Sequence, residues 1–420
     1  MGNYTNYFEK NFKFLLLLFF YITIIISFYL GEDSTGGAFL DYQNQSKVIN
    51  EFLKDFTYAF LNYDQLPYTT RHSPVLLILI SFLKKLQLND EIIRLIYLHL
   101  NLLLPLYFFK SLEIKLKNID KNYLLLLTCI IFLSPTFRSL SVWPDSRIFG
   151  LTLFVISVFY FLKFINEKSL KYVFLNVLFC ALSAYVSPNF AIFAIFFSFV
   201  FIRHYGLFSY KWISILIMNL LLALPAIYYV FFLKIYFFYA KATVDLSGED
   251  VLFFNFYNQI LITSSIIFFY LIPFLITNII KINIKENRLI IFVISIFITL
   301  ICINFFNYEM NFTGGGIIFQ ASNYLFGNNL FFYLFSFISI FTILILLFRN
   351  YENLILIICV FLSNPQTTIY HKYYDLLIMI LILTIFFIEI NFKAFTKKNF
   401  LLLYAYFLIF LVINNLKYLL

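Results

Sequence analysis

Three carboxylates, Asp33, Asp41 and Asp145, have the type and setting to do chemistry, because each stands beside a long apolar segment in a chain with only 12% charged residues. A carboxylate at such an edge can accept a proton from an attacking hydroxyl or amine, or share a divalent cation with a second acid. Asp33 and Asp41 belong to a stretch of about 40 polar residues that follows the first apolar segment near Leu30, GEDSTGGAFLDYQNQSKVINEFLKDFTYAFLNYDQLPYTTRH. Asp145 lies in SPTFRSLSVWPDSRIF between Arg138 and Arg147. Three further polar clusters follow. YAKATVDLSGED holds Lys241, Asp245, Glu249 and Asp250; NYEMNFTGGGIIFQ holds Glu309 and Gly314–Gly316; NPQTTIYHKYYD holds His371, Lys372 and Asp375. Charges close to membrane depth are costly and line wet or paired interiors. A satisfied ion pair at a helix start is the plainer alternative for Asp145 with Arg147 and for Lys372 with Asp375.

The elements that position these groups are apolar helices. The chain has 420 residues, 62% of them hydrophobic, with 60 Phe and 32 Tyr. Spans of 17–25 apolar residues recur from end to end, which predicts an all-α, polytopic membrane protein. A transmembrane β-barrel would show short alternating segments instead. About 13 spans are expected, at 14–30, 92–109, 122–137, 147–165, 172–186, 189–203, 212–233, 259–280, 289–307, 329–348, 353–364, 373–391 and 399–416. The first run has no small-residue cleavage site after it and reads as a retained span. Cys129, Cys180, Cys302 and Cys359 sit in apolar runs without metal-like spacing and read as small buried hydrophobes. The net charge of +9 comes from basic residues scattered between spans, so it points to the bilayer and not to nucleic acid.

The segment Ser73–Leu83 is too short to cross, since 11 residues rise only about 16 Å, roughly half the hydrocarbon core. With it treated as interfacial or re-entrant, loops 1–13, 110–121, 163–171, 203–211, 281–288, 349–352 and 393–398 hold 18 Lys or Arg against six Asp or Glu. Loops 31–91, 138–147, 234–258, 308–328 and 365–375 hold ten basic against 14 acidic residues. The positive-inside rule therefore puts the N-terminus in the cytoplasm and all five polar clusters on the outer side.

Within the first outer loop, Val48, Ile49, Phe52, Leu53 and Phe56 recur at helical spacing, an amphipathic pattern suited to lying on the membrane surface. Asp41 stands just ahead of that helix, where the helix terminus orients a carboxylate. Gly36 and Gly37 permit close backbone approach, Ser73 suits an N-cap, and Pro74 suits a first turn. A capped surface helix without chemistry would explain the same residues.

Taken together, a first span, an outer loop with an acid ahead of an amphipathic helix, a His-Ser-Pro start to a short apolar helix, and a second outer loop whose acid begins a span resemble the GT-C glycosyltransferases. These are polytopic enzymes that use polyisoprenyl-phosphate-linked sugars. The likeness is to their bacterial members of the aminoarabinose and protein-mannosyl transferase type. It covers roughly residues 10–200 in detail and the remainder by hydropathy. The family carries an acidic pair in its first-loop motif. Here the positional match is Asp41, followed by Tyr42, whereas the adjacent pair is Glu32-Asp33, so both aspartates stand as candidates. Arg71-His72-Ser73-Pro74 is similar to the family's His-Pro-Pro, with Ser replacing one Pro.

The resemblance implies a single membrane domain over 1–420, with the first outer loop at 31–91, the rest of the core at 92–203 and variable helices at 204–420. It implies hexosyl or pentosyl transfer from a polyprenyl-phosphate sugar to a glycan, lipid or protein acceptor at the periplasmic face of a bacterial inner membrane. Asp41 is then the general base, with Asp33 as its competitor. Asp145 orients the acceptor or holds a divalent cation together with Asp41; Mg2+ or Mn2+ is compatible with these acids but not demanded by them. Arg71, His72, Arg138, Arg147, His371, Lys372 and Glu309 are the candidates for binding substrate and phosphate. Membrane lipids are the expected surroundings, and the chain reads as a monomer. A transporter or flippase would place charges in mid-span and show inverted halves, neither of which is seen. A lipid-linked polysaccharide polymerase or ligase would present its main outer loop late in the chain, whereas here the first loop is the largest. A scaffold would tolerate loss of the loop acids.

Overall fold

A computed structural model of the chain describes residues 2–66, 73–231, 255–281, 288–310, 314–366 and 368–417. The apolar runs are helical because hydrocarbon offers no partner for backbone polar groups. α1 (Gly2–Leu30) leads into the polar stretch, which folds as α2 (Ala38–Lys54), α3 (Phe56–Leu61) and α4 (Val75–Lys85). α5 (Asp90–Asn101) and α6 (Leu103–Lys115) run on as one 26-residue apolar segment. α7 (Lys121–Cys129) passes through a short 3-10 turn into α8 (Pro135–Val142), with a 64° bend at the break. Then come α9 (Ser146–Glu167), α10 (Leu170–Val186), α11 (Phe193–Tyr205), α12 (Tyr210–Phe231), α13 (Phe256–Ile276), α14 (Arg288–Asn304) and α15 (Gly316–Phe326). α16 (Leu330–Arg349), α17 (Tyr351–Leu362), α18 (Leu377–Thr384) and α19 (Lys397–Lys417) complete the helices. A two-residue antiparallel ribbon pairs Ile280 with Ile390 and Lys281 with Glu389.

Among the described residues, eight helices are long and apolar enough to cross a membrane, or nine if the bent pair around Ser134 is one span. The chain is thus an all-α, multi-span helical protein, consistent with a polytopic membrane protein. The count falls below the expected thirteen for a reason of length. α10 and α14 have 17 residues each and α17 only 12. At 1.5 Å per residue they rise about 26 Å and about 18 Å, short of a hydrocarbon core of about 30 Å. The expected span 373–391 contains only the eight helical residues of α18.

α4, at 11 residues, lies against α2 and is not one of the crossing helices. That packing corrects the amphipathic reading of the first loop. Val48, Ile49 and Phe52 are fully buried inside the protein, as are Leu76 and Ile80 of α4, so the apolar face of α2 meets protein and not lipid. The apolar pattern also straddles a break: Asp55 is extended, and its carboxylate accepts the Tyr58 N–H at 2.9 Å to start α3, which carries Phe56.

α9 is the axis of the bundle. It packs most extensively on α10 and also on α6. Gly150 allows the closest approach, since a Cβ there would lie 2.7 Å from the Ser187 Cβ. Ser183 donates to the Gly150 carbonyl at 2.8 Å, and Asn176 donates to both oxygens of Ser157. Such small-residue contacts and interhelical hydrogen bonds replace the hydrophobic drive that is missing between helices in lipid. Loops grouped together by charge meet in space. Arg203 reaches Glu352 at one end, while Asp41 meets Lys372 at the other.

Candidate functional site

The first turn of α2 is built by Asp33. Gly36 and Gly37 take positive φ values of 66° and 98°, a conformation that favours glycine. The turn folds the chain back so that the Asp33 carboxylate accepts the N–H groups of Gly37, Ala38 and Phe39 at 3.0–3.1 Å. The Ser139 hydroxyl supplies a fourth bond at 3.0 Å. Asp33 is therefore a helix cap whose acceptor directions are filled. Its neighbour Glu32 pairs with Arg138 at 2.8 Å, and each side chain is only 13% exposed. Burial raises the Glu32 carboxyl pKa, but hydrogen bonding and charge from Arg138 outweigh it and hold the group below the usual carboxylate range. Arg138 also donates to the Phe132 carbonyl and to Ser27, so it ties the end of α1 to α8.

Asp41 is held differently. One turn into α2, its Oδ2 meets Arg147 and Lys372, each at 3.4 Å, and its side chain stays 34% exposed. Asp145 caps α9 by accepting the Arg147 N–H at 2.8 Å, and its carboxylate takes two bonds from the same guanidinium, at 2.9 and 2.7 Å. The Asp145 side chain is 2% exposed. Tyr97 of α5 clamps the Asp145 backbone, donating to its carbonyl at 2.5 Å and accepting its N–H at 3.1 Å. Arg147 thus bridges a buried carboxylate and an open one. It lies against the Tyr373 ring at 4.9 Å, and its Nη1 is buried with no hydrogen-bond partner among the described residues.

Lys372 comes from the turn before α18. Burial and the nearby Arg147 hold its ammonium pKa below the usual lysine range, against the opposing pull of Asp41 and Asp145. That turn is pinned by Asp375, which accepts the hydroxyls of Tyr270 at 2.5 Å and Ser134 at 2.6 Å and the Thr136 N–H at 3.2 Å. The next residue, Leu376, adopts φ 62°, a left-handed conformation that costs a branched side chain energy and persists because the surrounding bonds hold it. His371 Nε2 lies 3.1 Å from the Tyr270 hydroxyl. Because that hydroxyl donates to Asp375, the network assigns the imidazole proton to Nε2 and leaves Nδ1 as an acceptor. Nδ1 is buried and unpartnered among the described residues. Burial, partly opposed by Asp375, lowers the His371 pKa to about 4.

Two clefts meet at Lys372, Thr136 and Asp375. One runs past Arg147 to Asn189 and Asn364; the other runs past His371 to Gln320 and to Phe410 and Asn414 of α19. Five of the predicted site residues are brought together: Arg147, His371 and Lys372 line the clefts, and Asp41 and Asp145 join them through Arg147 and Lys372. Asp33 and Arg138 lie nearby with other partners, and Glu309 is exposed beside the buried Tyr308. Arg71 and His72 lie outside the described residues, as do Lys241, Asp245, Glu249 and Asp250. Tyr97, Tyr270 and Tyr373 escaped sequence reasoning, because nothing separates them from the other tyrosines of a chain with 32.

Among the described residues no group of three or more His, Cys, Asp or Glu is arranged to hold a metal ion. The Arg147 guanidinium occupies the position between Asp41 and Asp145. A divalent cation bridging those two acids would need Arg147 to swing away, so the pair as placed does not fit one. Compared with known protein families, with curated proteins and with solved structures, the chain shows no match.

Proposed function

We propose that this protein is a polytopic membrane glycosyltransferase of the GT-C type. In this reading it moves a sugar from a polyprenyl-phosphate donor to a glycan, lipid or protein acceptor at the outer face of a bacterial inner membrane. The observation that carries the reading is the contrast among the three aspartates. Asp33 and Asp145 have their oxygens taken, whereas Asp41 is open to solvent and sits between two cations of the same site.

That arrangement suits direct displacement. The acceptor hydroxyl or amine attacks the anomeric carbon, forming the new glycosidic bond as the bond from that carbon to the phosphate oxygen breaks. The acceptor proton passes to Asp41, a role for which a positioned carboxylate contributes about 10²–10⁴ in rate. The phosphate leaves with both electrons of the broken bond, and its charge falls to Arg147 and Lys372, fixed donors in a partly desolvated cleft. His371 in the tautomer set by Tyr270 accepts and does not donate, which fits a sugar hydroxyl better than a phosphate. The polyprenyl chain stays between the helices, so no nucleotide-binding domain is required.

Purified full-length protein incubated with polyprenyl-phosphate sugars and a panel of acceptors tests this. Transfer should fall at least about 10²-fold in Asp41→Asn, while Asp33→Asn should keep most of its turnover. Unchanged transfer in Asp41→Asn would refute the assignment.

A further inference from the structure

At the end of α9 remote from Asp145, α6, α7 and α9 border a third, open cleft. Four lysines line it, Lys110, Lys117, Lys121 and Lys163, against a single carboxylate, Glu113. Lys121 takes up that carboxylate at 2.8 Å, and Lys163 reaches Glu167 at 3.2 Å. Lys110 lies over the Tyr107 ring at 4.8 Å, and Lys117 has no ion-pair partner among the described residues. Two of the four lysines are thus offset within the protein, which leaves Lys110 and Lys117 as excess positive charge that an anion would offset.

The walls say which anion. Leu124 lies one turn from Lys121, and Phe159 one turn from Lys163, each toward the middle of the bundle. The cleft is therefore basic at its mouth and apolar one turn deeper. On α6 the same gradient continues outside it. Leu103 and Leu106 are exposed and share a face with Lys110 at i, i+3 and i+7, so an apolar track leads from the hydrocarbon region to the lysine. A water-borne phosphate would use only the mouth; a lipid would use the mouth, the wall and the track. We infer that this cleft binds the phosphate headgroup of an anionic phospholipid at the membrane face opposite the aspartate cluster. By its basic excess that face is the cytoplasmic one, where clustered lysines meet anionic lipid. The inference does not depend on glycosyl transfer.

Thermal unfolding of the full-length protein in neutral detergent, titrated with phosphatidylglycerol, phosphatidylcholine or inorganic phosphate, tests it. Phosphatidylglycerol should stabilise the wild type, with little effect from the other two. In Lys110→Gln/Lys117→Gln the half-saturating concentration should rise at least fivefold, while Lys110→Arg/Lys117→Arg should keep binding. Lys397→Gln/Lys398→Gln, outside the cleft, should match the wild type. Equal stabilisation by inorganic phosphate, an unshifted titration in the Gln pair, or an equal shift in the Lys397/Lys398 pair would each overturn the lipid site. If the Gln pair fails to fold, Lys117→Gln alone at its exposed loop position decides. A shift of at least twofold is expected there, and none would count against the site.

Discussion

The two ends of α9 treat charge in opposite ways. At Ser146 the acids and bases alternate in space: Asp145, Arg147, Asp41 and Lys372 form a chain of opposite signs, mostly shielded from water. At Glu167, about 30 Å away along the helix, four lysines gather against two acids, Glu113 and Glu167. A desolvated cluster must be paired, because an uncompensated charge out of water costs several kcal/mol. An aqueous, membrane-edge cleft can keep an excess of one sign and leave the balance to a ligand. The first end has the rigidity wanted for positioning reactants, and the second has the unspent charge wanted for capture.

That contrast can be broken at its most buried link. Arg147→Gln strands Asp145, and losing one partner of a buried pair costs about 3–5 kcal/mol. We expect a markedly lower melting temperature in detergent, with most of the loss recovered in Asp145→Asn/Arg147→Gln. A single variant as stable as the wild type would show that Asp145 is hydrated. The next probe is pH. The His371 pKa is lowered in the fold, so an unfolded chain binds its proton more readily between the usual histidine value and about 4. Its contribution to stability is complete above about pH 6.5 and is lost as pH falls toward 4. His371→Gln should flatten the melting-temperature profile across that interval; an unaltered slope would place the acid sensitivity elsewhere. A smaller effect separates Asp33 from Asp41. Asp33→Ala removes the cap of α2 and should cost about 1–2 kcal/mol. Turnover per folded molecule should survive, which an activity assay corrected for folded fraction measures.

Much of this molecule was legible in its residues. Asp41 and Asp145 stood out as acids at helix starts; Asp145 does cap α9, whereas α2 already begins at Ala38 and holds Asp41 within its first turn. Lys372 and Arg147 were named as cations of the same side, but Lys372 is 331 positions from Asp41, a distance no local pattern bridges. Asp33 shows the opposite failure. As half of an acidic pair it looked as reactive as Asp41, and only the Gly36–Gly37 turn reveals that its oxygens serve backbone N–H groups. The apolar face of α2 was readable as amphipathic; that α4 and not lipid covers it was not, since either partner satisfies the same periodicity.

Hydropathy and charge by themselves determined that the chain is helical, apolar in repeated segments, and divided into a basic and an acidic set of loops. Those properties follow from the cost of placing peptide groups and charges in hydrocarbon, which each segment meets or fails on its own composition. Only the tertiary structure decided which acid is left open, which cations stand beside it, and where lysines collect in excess of acids. These depend on pairings between distant segments, where a carboxylate filled by backbone N–H groups and one left partly open to solvent are the same residue type in the chain.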